Sequence, residues 1–335
     1  MIKVAINGFG RIGRLAFREM ITSPDYDVVA INDLGDAESL AYLLKYDTNH
    51  RSFHEELIAF EGDQLVINKQ KRIKVYSEKD PLNLPWKNLM VDVVLECTGV
   101  FTDEEGAQKH ITAGAQKVVI SAPGKGSMKT IVYGVNDNTL DGSEKIISTA
   151  SCTTNCLAPV LKIIEDNIGI VKGFMTTIHA YTNDQMTLDI YHKKGINSRR
   201  GRAAAMNIIP SSTGAATAIG EVIPQLKGKF DGGAFRVPVS DGSVIDLTIE
   251  PKRKTSIEEI NNLFINNQSE VIKATNDPVV SSDILGKKCG ALVDLQLTSV
   301  IEDDNSQLIK ITAWYDNEMG YTAQMMRTVR KIMSK

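Results

Sequence analysis

Two side chains in this sequence have the type and the setting for covalent chemistry at a carbonyl carbon. Cys152 stands in Ala150-Ser151-Cys152-Thr153-Thr154-Asn155-Cys156-Leu157-Ala158-Pro159. Beyond it Leu157, Val160, Leu161 and Ile164 recur at helical spacing, which puts Cys152 at the mouth of a helix. Unpaired backbone N–H groups and the positive end of the helix dipole favour the thiolate there, the form that attacks carbon. Pro159 has no N–H and crowds the preceding turn, so the helix either kinks at Pro159 or begins near it. A free cysteine is commonly a core residue, and Cys97 reads as one. Cys152 differs in having a candidate base, His179, on the strand-like stretch 173–181 of the same half of the chain. His50, His54, His110 and His192 read as structural histidines. Cys156 is one helical turn from Cys152, and no further ligand completes a metal site around the two.

These residues need a scaffold, and the N-terminal third supplies a recognisable one. Lys3–Asn7 is a short apolar strand that runs into Gly8-Phe9-Gly10-Arg11-Ile12-Gly13. Leu15, Ala16, Met20 and Ile21 then keep helical spacing, Ser23-Pro24-Asp25 stops the helix, and Val28–Ile31 is a second apolar strand ending in Asn32-Asp33. Strand, Gly-x-Gly-x-x-Gly, helix, strand and acid follow in the order of a dinucleotide-binding fold. The glycines let backbone approach a pyrophosphate at a helix N-terminus, and Asp33 is placed for ribose hydroxyls and against a 2′-phosphate. Strands 91–99 and 117–123 extend a parallel sheet, with a helix over 102–115 capped by Thr102. Thr98 and Ser121 lie at the carboxyl ends of those strands, on the ligand side of such sheets.

After Ala150 the pattern changes. Residues 173–181 alternate as a half-exposed strand, 234–239 and 243–249 flank Asp241-Gly242 as a hairpin signal, and 291–300 and 307–314 flank a second turn. Segments 153–167, 202–220 and 256–267 read as helices. This half is a mixed or antiparallel sheet with helices on one face. Met325, Val329 and Ile332 mark a last helix. The stretch 182–202 has no clear period, and loops of that length in compact domains are commonly functional.

Bulk properties set the outer limits. The 335 residues are enough for two cores. With 42% hydrophobic and 24% charged residues, the composition is that of a globular protein. A net charge of -3 gives no electrostatic case for nucleic acid or an anionic membrane. No signal-like segment precedes the first strand, no apolar run reaches the ~18–20 residues of a membrane span, and four cysteines in so long a chain make no disulfide framework. A cytoplasmic protein with reduced thiols is expected.

The ten residues 150–159 resemble the active-site segment of phosphorylating glyceraldehyde-3-phosphate dehydrogenases, and the resemblance extends over nearly the whole chain. It implies an α/β protein in two parts. One is an N-terminal Rossmann NAD-binding domain, 1–150, joined by the C-terminal helix 316–335; the other is an α+β catalytic domain, 151–315. It implies oxidation of glyceraldehyde 3-phosphate with NAD and inorganic phosphate to 1,3-bisphosphoglycerate and NADH in glycolysis, by a homotetramer. Cys152 would form a hemithioacetal and then a thioester, with His179 as base. Thr182 and Arg236 would hold the substrate phosphate, while Ser151, Thr153, Arg200, Thr213 and Gly214 would frame inorganic phosphate. Gly8, Gly10, Arg11, Ile12, Gly13, Asp33, Lys79, Thr98, Ser121, Asn317 and Tyr321 would contact NAD, Asn317 through the nicotinamide carboxamide. Within the 182–202 loop, Leu188-Asp189-Ile190-Tyr191-His192 departs from the family's usual run, and Tyr191 stands where NAD-using members commonly carry proline. Relatives acting on erythrose 4-phosphate, NADP-preferring members, and a binding protein that has kept the fold are the competing readings.

Overall fold

The computed structural model describes residues 1–192, 195 and 197–334; Lys193, Lys194, Ile196 and Lys335 lie outside the described residues. The chain forms two compact units. The first comprises residues 1–131, 137–151 and 325–335, and the second comprises 132–136 and 152–324.

In the first unit, β1 (Ile2–Asn7), α1 (Arg11–Ile21), β2 (Tyr26–Asn32) and α2 (Ala37–Lys45) lead into the antiparallel β3 (Ile58–Glu61), β4 (Gln64–Ile67) and β5 (Lys71–Tyr76). There follow α3 (Trp86–Leu89), β6 (Val93–Glu96), α4 (Glu104–Thr112), β7 (Lys117–Ile120), β8 (Lys129–Thr130) and β9 (Ile146–Ser148). The sheet order is β3-β4-β5-β2-β1-β6-β7-β9-β8, and every pair from β5 onward is parallel. Val4, Ala5, Ile6, Val93, Val94, Leu95, Val118, Val119 and Ile120 are fully buried. Such unbroken apolar runs are what a sheet covered on both faces requires. β1 lies between β2 and β6, where the strand order reverses. The carboxyl ends of those strands present Asn7, Asn32 and Glu96. A Cβ on Gly13 would sit 2.1 Å from the Gly8 carbonyl oxygen, so only glycine lets α1 close onto the turn from β1. The cap of α4 is Asp103, which accepts from Gly106 N at 2.7 Å. It takes the place expected of Thr102, because it is the residue directly before the first turn and so meets the third amide.

The second unit contains α5 (Cys152–Asn167), β10 (Ile170–Ala180), β11 (Ile209–Ser212), α6 (Ala215–Val222), β12 (Phe230–Val237) and β13 (Ser243–Pro251). It continues with α7 (Ile257–Asn266), β14 (Ile272–Thr275), β15 (Ala291–Glu302), β16 (Gln307–Tyr315) and α8 (Met319–Met333). The sheet order is β11-β12-β10-β13-β16-β15-β14; β10–β12 and β14–β15 are parallel and the other pairs antiparallel. Two expectations are corrected here. β12 and β13 are not a hairpin, because β10 lies between them. Gly242, at φ 87°, makes the turn, but residues 238–242 cross the end of β10, where Tyr181 N donates to Val239 O at 3.0 Å. Residues 202–220 are not one helix either: Pro210 cannot donate in a helix interior, and the segment divides into β11 and α6 around Thr213-Gly214. α5 starts at Cys152 and runs through Pro159 without ending. In β10 the side chains of Met175, Thr177 and His179 alternate onto the buried face while Phe174 is exposed.

α8 begins in the second unit, and its residues from Met325 belong to the first. Met325, Val329 and Ile332 are fully buried in one apolar cluster with Val4, Ile6, Phe17 and Leu65, and Tyr26 OH donates to Met326 O at 3.3 Å. No helix among the described residues is long and apolar enough to cross a membrane.

Candidate active site

Ala150, buried, holds a left-handed φ of 57° between β9 and α5. A non-glycine residue accepts that conformation at a cost, and such residues concentrate at functional sites. The Ser148 hydroxyl pins the bend, accepting from Ala150 N at 3.0 Å and donating to Ala122 O at 2.7 Å. Two residues on, Cys152 opens the helix, and its Sγ lies 3.4 Å from His179 Nε2. Nδ1 of His179 lies 2.7 Å from Ala180 O, so the ring is held with Nε2 facing the thiol. Burial, and then the positive charge of Arg236, push His179 down to about 3. The imidazole is therefore neutral and able to take a proton. For Cys152, burial pushes the thiol up; the Arg236 charge and the Thr153 hydroxyl and amide pull the other way and do not outweigh it. The thiolate expected from the helix mouth alone is thus not the resting form. The pair rests as thiol and neutral imidazole.

Arg236 stands behind the histidine. Its Nη1 is 2.8 Å from His179 Nδ1 and donates to Ala180 O at 2.9 Å and Thr182 Oγ1 at 3.3 Å. Thr182 in turn donates to Asp184 Oδ1 at 2.6 Å, and the other Asp184 oxygen ion-pairs with Arg200. Arg200 reaches Ser212 O at 3.5 Å, next to Thr213, whose Oγ1 accepts from Ala215 N at 3.2 Å, and to Gly214 at the start of α6. Arg200 also lines a cavity of about 760 Å³ with Asn197, Ser198, Arg199, Pro210, Ser211 and Ser212. The guanidinium groups and hydroxyls so gathered can bind oxyanions by charge-assisted hydrogen bonds. Asn317 is buried, with its Oδ1 accepting from Ser243 Oγ at 2.6 Å; the same Ser243 oxygen accepts from Ala180 N at 3.1 Å. That network fixes the amide's orientation and ties Asn317 to the histidine strand. Tyr321 is buried on α8.

Two residues that sequence reasoning passed over belong to this cluster. One is Asp184, the counter-ion of Arg200. The other is Tyr315, whose hydroxyl contacts Thr153 Oγ1 and Thr177 Oγ1, each at 2.9 Å, and whose ring meets the His179 ring edge-on. A tyrosine at the end of an apolar strand resembles core, and only its partners distinguish it.

In the first unit, Gly8, Phe9, Gly10, Arg11, Ile12 and Gly13 form the turn from β1 into α1. Asp33 Oδ2 accepts from Phe9 N at 2.7 Å and Oδ1 from Gly35 N at 2.9 Å. No side chain caps α1, and a Cβ on Gly10 would meet nothing within 4 Å. An open, uncapped helix N-terminus with an acid at the next strand end fits a dinucleotide's pyrophosphate and ribose. Arg11 is ion-paired with Asp47. Burial would raise that carboxyl, but the bonds from Arg11 and from His50 N outweigh it and bring it to about 2. Thr98 is exposed, and its amide (2.8 Å) and hydroxyl both donate to the buried Glu96 carboxylate. Ser121 N donates to Glu96 O at 2.9 Å, and the Ser121 hydroxyl bonds the Cys97 thiol, which burial pushes up to about 12. Cys97 is half-buried and packs against the apolar cluster of the first unit. Lys79 is simply exposed. Ser151 is the last residue of this unit, directly before Cys152.

Comparison with known proteins agrees with this chemistry. Residues 2–104 match the family model described as glyceraldehyde 3-phosphate dehydrogenase, NAD binding domain, and residues 151–317 match its C-terminal domain. The chain is similar to the glyceraldehyde-3-phosphate dehydrogenases of Clostridium pasteurianum and Clostridium acetobutylicum, 56% and 55% identical over 329 residues covering 98% of each chain. It is similar also to that of Streptococcus pyogenes, 52% identical over 330 residues, 98% of this chain and 97% of the relative. A cysteine–histidine pair flanked by oxyanion-binding groups, a dinucleotide turn, and end-to-end similarity of this degree converge: the chain belongs to the glyceraldehyde-3-phosphate dehydrogenase family.

Proposed function

We propose that this protein oxidises glyceraldehyde 3-phosphate with NAD and inorganic phosphate to 1,3-bisphosphoglycerate and NADH, the phosphorylating aldehyde oxidation of glycolysis. The observation that carries the reading is the 3.4 Å approach of Cys152 Sγ to Nε2 of His179, with Arg236 beside the ring. His179 takes the thiol proton as sulfur attacks the aldehyde carbon, and returns it to the carbonyl oxygen, giving a hemithioacetal. It then holds the hydroxyl proton while that carbon loses hydride and becomes a thioester. NAD, when bound, is the hydride acceptor. Inorganic phosphate attacks the thioester carbon, the carbon–sulfur bond breaks, and the acyl phosphate leaves with Cys152 restored. Passing through a thioester retains oxidation energy that hydrolysis would dissipate.

Arg236 and Thr182 hold the substrate's phosphate. Ser151, Thr153, Arg200, Thr213 and Gly214 receive the attacking phosphate, with Asp184 orienting Arg200. Gly8, Gly10, Arg11, Ile12, Gly13 and Asp33 bind the pyrophosphate and adenosine ribose; Thr98, Ser121, Asn317 and Tyr321 serve the nicotinamide end and Lys79 the adenine. The segment before Cys152, with the end of α8, is the cofactor domain, and the segment from Cys152 to β16 is the catalytic domain. The enzyme works in the cytoplasm as a homotetramer, and the exposed Leu188, Ile190 and Tyr191 of the long loop, with Met206 and Ile208 beyond it, are consistent with subunit contact. The test is NADH absorbance with glyceraldehyde 3-phosphate, with and without phosphate. Turnover that needs phosphate and disappears in Cys152→Ser is expected. Equal turnover without phosphate would make the reaction hydrolytic and remove the second anion pocket.

A further inference from the structure

The three hydroxyls of Thr177, Tyr315 and Thr153 stand in a row. Tyr315 is buried at the end of β16, Thr177 lies on β10 two residues before His179, and Thr153 is the second residue of α5, next to Cys152. Both oxygen–oxygen distances are 2.9 Å, ordinary for hydroxyl hydrogen bonds. A hydroxyl has a single hydrogen, so Tyr315 donates to at most one threonine and the row has three internal arrangements. Its Thr153 end directly follows Cys152 in the chain, and the Thr153 hydroxyl is among the groups that pull the Cys152 thiol downward. If Thr153 spends its hydrogen on sulfur, it must accept from Tyr315, and Tyr315 must then accept from Thr177. All three are buried, where hydrogen bonds in series polarise one another.

We propose that Tyr315 is a positioning residue for the reaction inferred above: its hydroxyl, fed by Thr177, turns the Thr153 hydrogen toward Cys152 Sγ, while its ring braces His179. The phenol serves as a donor that does not ionise, since burial holds its own proton well above the ordinary range. The other titratable or charged groups facing Cys152 are His179 on β10, Arg236 on β12 and Cys156 on α5. His179 and Arg236 act on the sulfur directly. The row supplies a neutral donor from the remaining side, where α5 meets β16.

The test measures iodoacetamide alkylation of Cys152 against pH on the full chain, with Cys152→Ser as the blank. It needs neither aldehyde nor phosphate, so it stands apart from the substrate assignment. Tyr315→Phe keeps the ring and removes the hydroxyl. The midpoint of alkylation is expected to move upward by about one pH unit, a roughly tenfold loss of thiolate below it. In turnover, kcat should fall while KM for the aldehyde stays within about twofold. Thr177→Val, which leaves the ring in place, should move the midpoint the same way by less. In a Thr153→Val background, Tyr315→Phe should move nothing further, because the row has already lost its end. A Tyr315→Phe protein that melts lower but alkylates with an unmoved midpoint would overturn the proposal. So would an equal shift in the Thr153→Val background. If Tyr315→Phe does not fold, an unmoved midpoint in Thr177→Val overturns it alone.

Discussion

Asp33 and Phe9, on different strands' ends, are joined by a 2.7 Å hydrogen bond from the Phe9 amide to the Asp33 carboxylate. The acid read from sequence as a ribose ligand therefore also holds the glycine turn. Its second oxygen takes Gly35 N, so the carboxylate fixes backbone in the glycine turn and just after its own strand. Asp33→Ala should leave two amides without their acceptor, at about 1–3 kcal/mol of stability. It should weaken NAD about tenfold or more and narrow the margin over NADP. Calorimetric titration with both dinucleotides reads this directly. An unchanged NAD affinity would leave Asp33 a turn residue and nothing more.

The depressed His179 has a thermodynamic signature. Unfolded, the imidazole takes a proton near its ordinary 6.5; folded, it does so only near 3. The stabilisation from keeping it neutral is complete above pH ~6.5 and is lost as pH falls toward 3. Across that window the slope approaches about 1.4 kcal/mol per pH unit. His179→Asn should flatten this stretch of the stability profile and lower kcat by roughly 10²–10⁴. Urea midpoints at about pH 7, 5.5 and 4 for both proteins test it. Parallel profiles would mean that the histidine is not held neutral by the fold.

Arg236 touches two functions at once. Arg236→Leu removes the donor to Thr182 and Ala180 and the charge beside His179. Loss of a charged hydrogen-bond partner costs about 1.5–3 kcal/mol, so kcat/KM for the phosphorylated aldehyde should drop roughly 10- to 150-fold. Glyceraldehyde, which lacks the phosphate, should lose far less. His179 should rise from about 3 toward its ordinary value, visible by NMR titration of its ring protons. Equal losses for both aldehydes would place the substrate phosphate elsewhere.

What could be read from sequence was local. The glycine turn, the second strand ending in Asp33 and the helix opened by Cys152 each depend on residues close together in the chain, and their types carry the signal. The errors were all non-local or degenerate. Asp241-Gly242 does turn the chain, but which strand lies beside β13 is decided by β10, some seventy residues earlier (Gly173 pairs with Ile249, for instance). Thr102 and Asp103 are both good caps, and the choice depends on which reaches the Gly106 amide. The thiolate expectation weighed the helix dipole and not burial, which emerges only once β10, β12 and β16 close around Cys152. Asp184 and Tyr315 carry no motif of their own; they acquire meaning from Arg200, Thr153 and Thr177.

The last turns of α8 set the order in which the protein can come into being. Met325, Val329 and Ile332 complete the apolar core begun by Val4 and Ile6, so the first unit to leave the ribosome is the last to be finished. At ~5–20 residues per second, its incomplete core waits roughly ten seconds or more for the end of the chain. During that time the exposed seam around β1 must be tolerated or shielded. A premature stop shortly before Met325 would therefore damage the beginning of the protein, leaving the residues near the break comparatively unaffected.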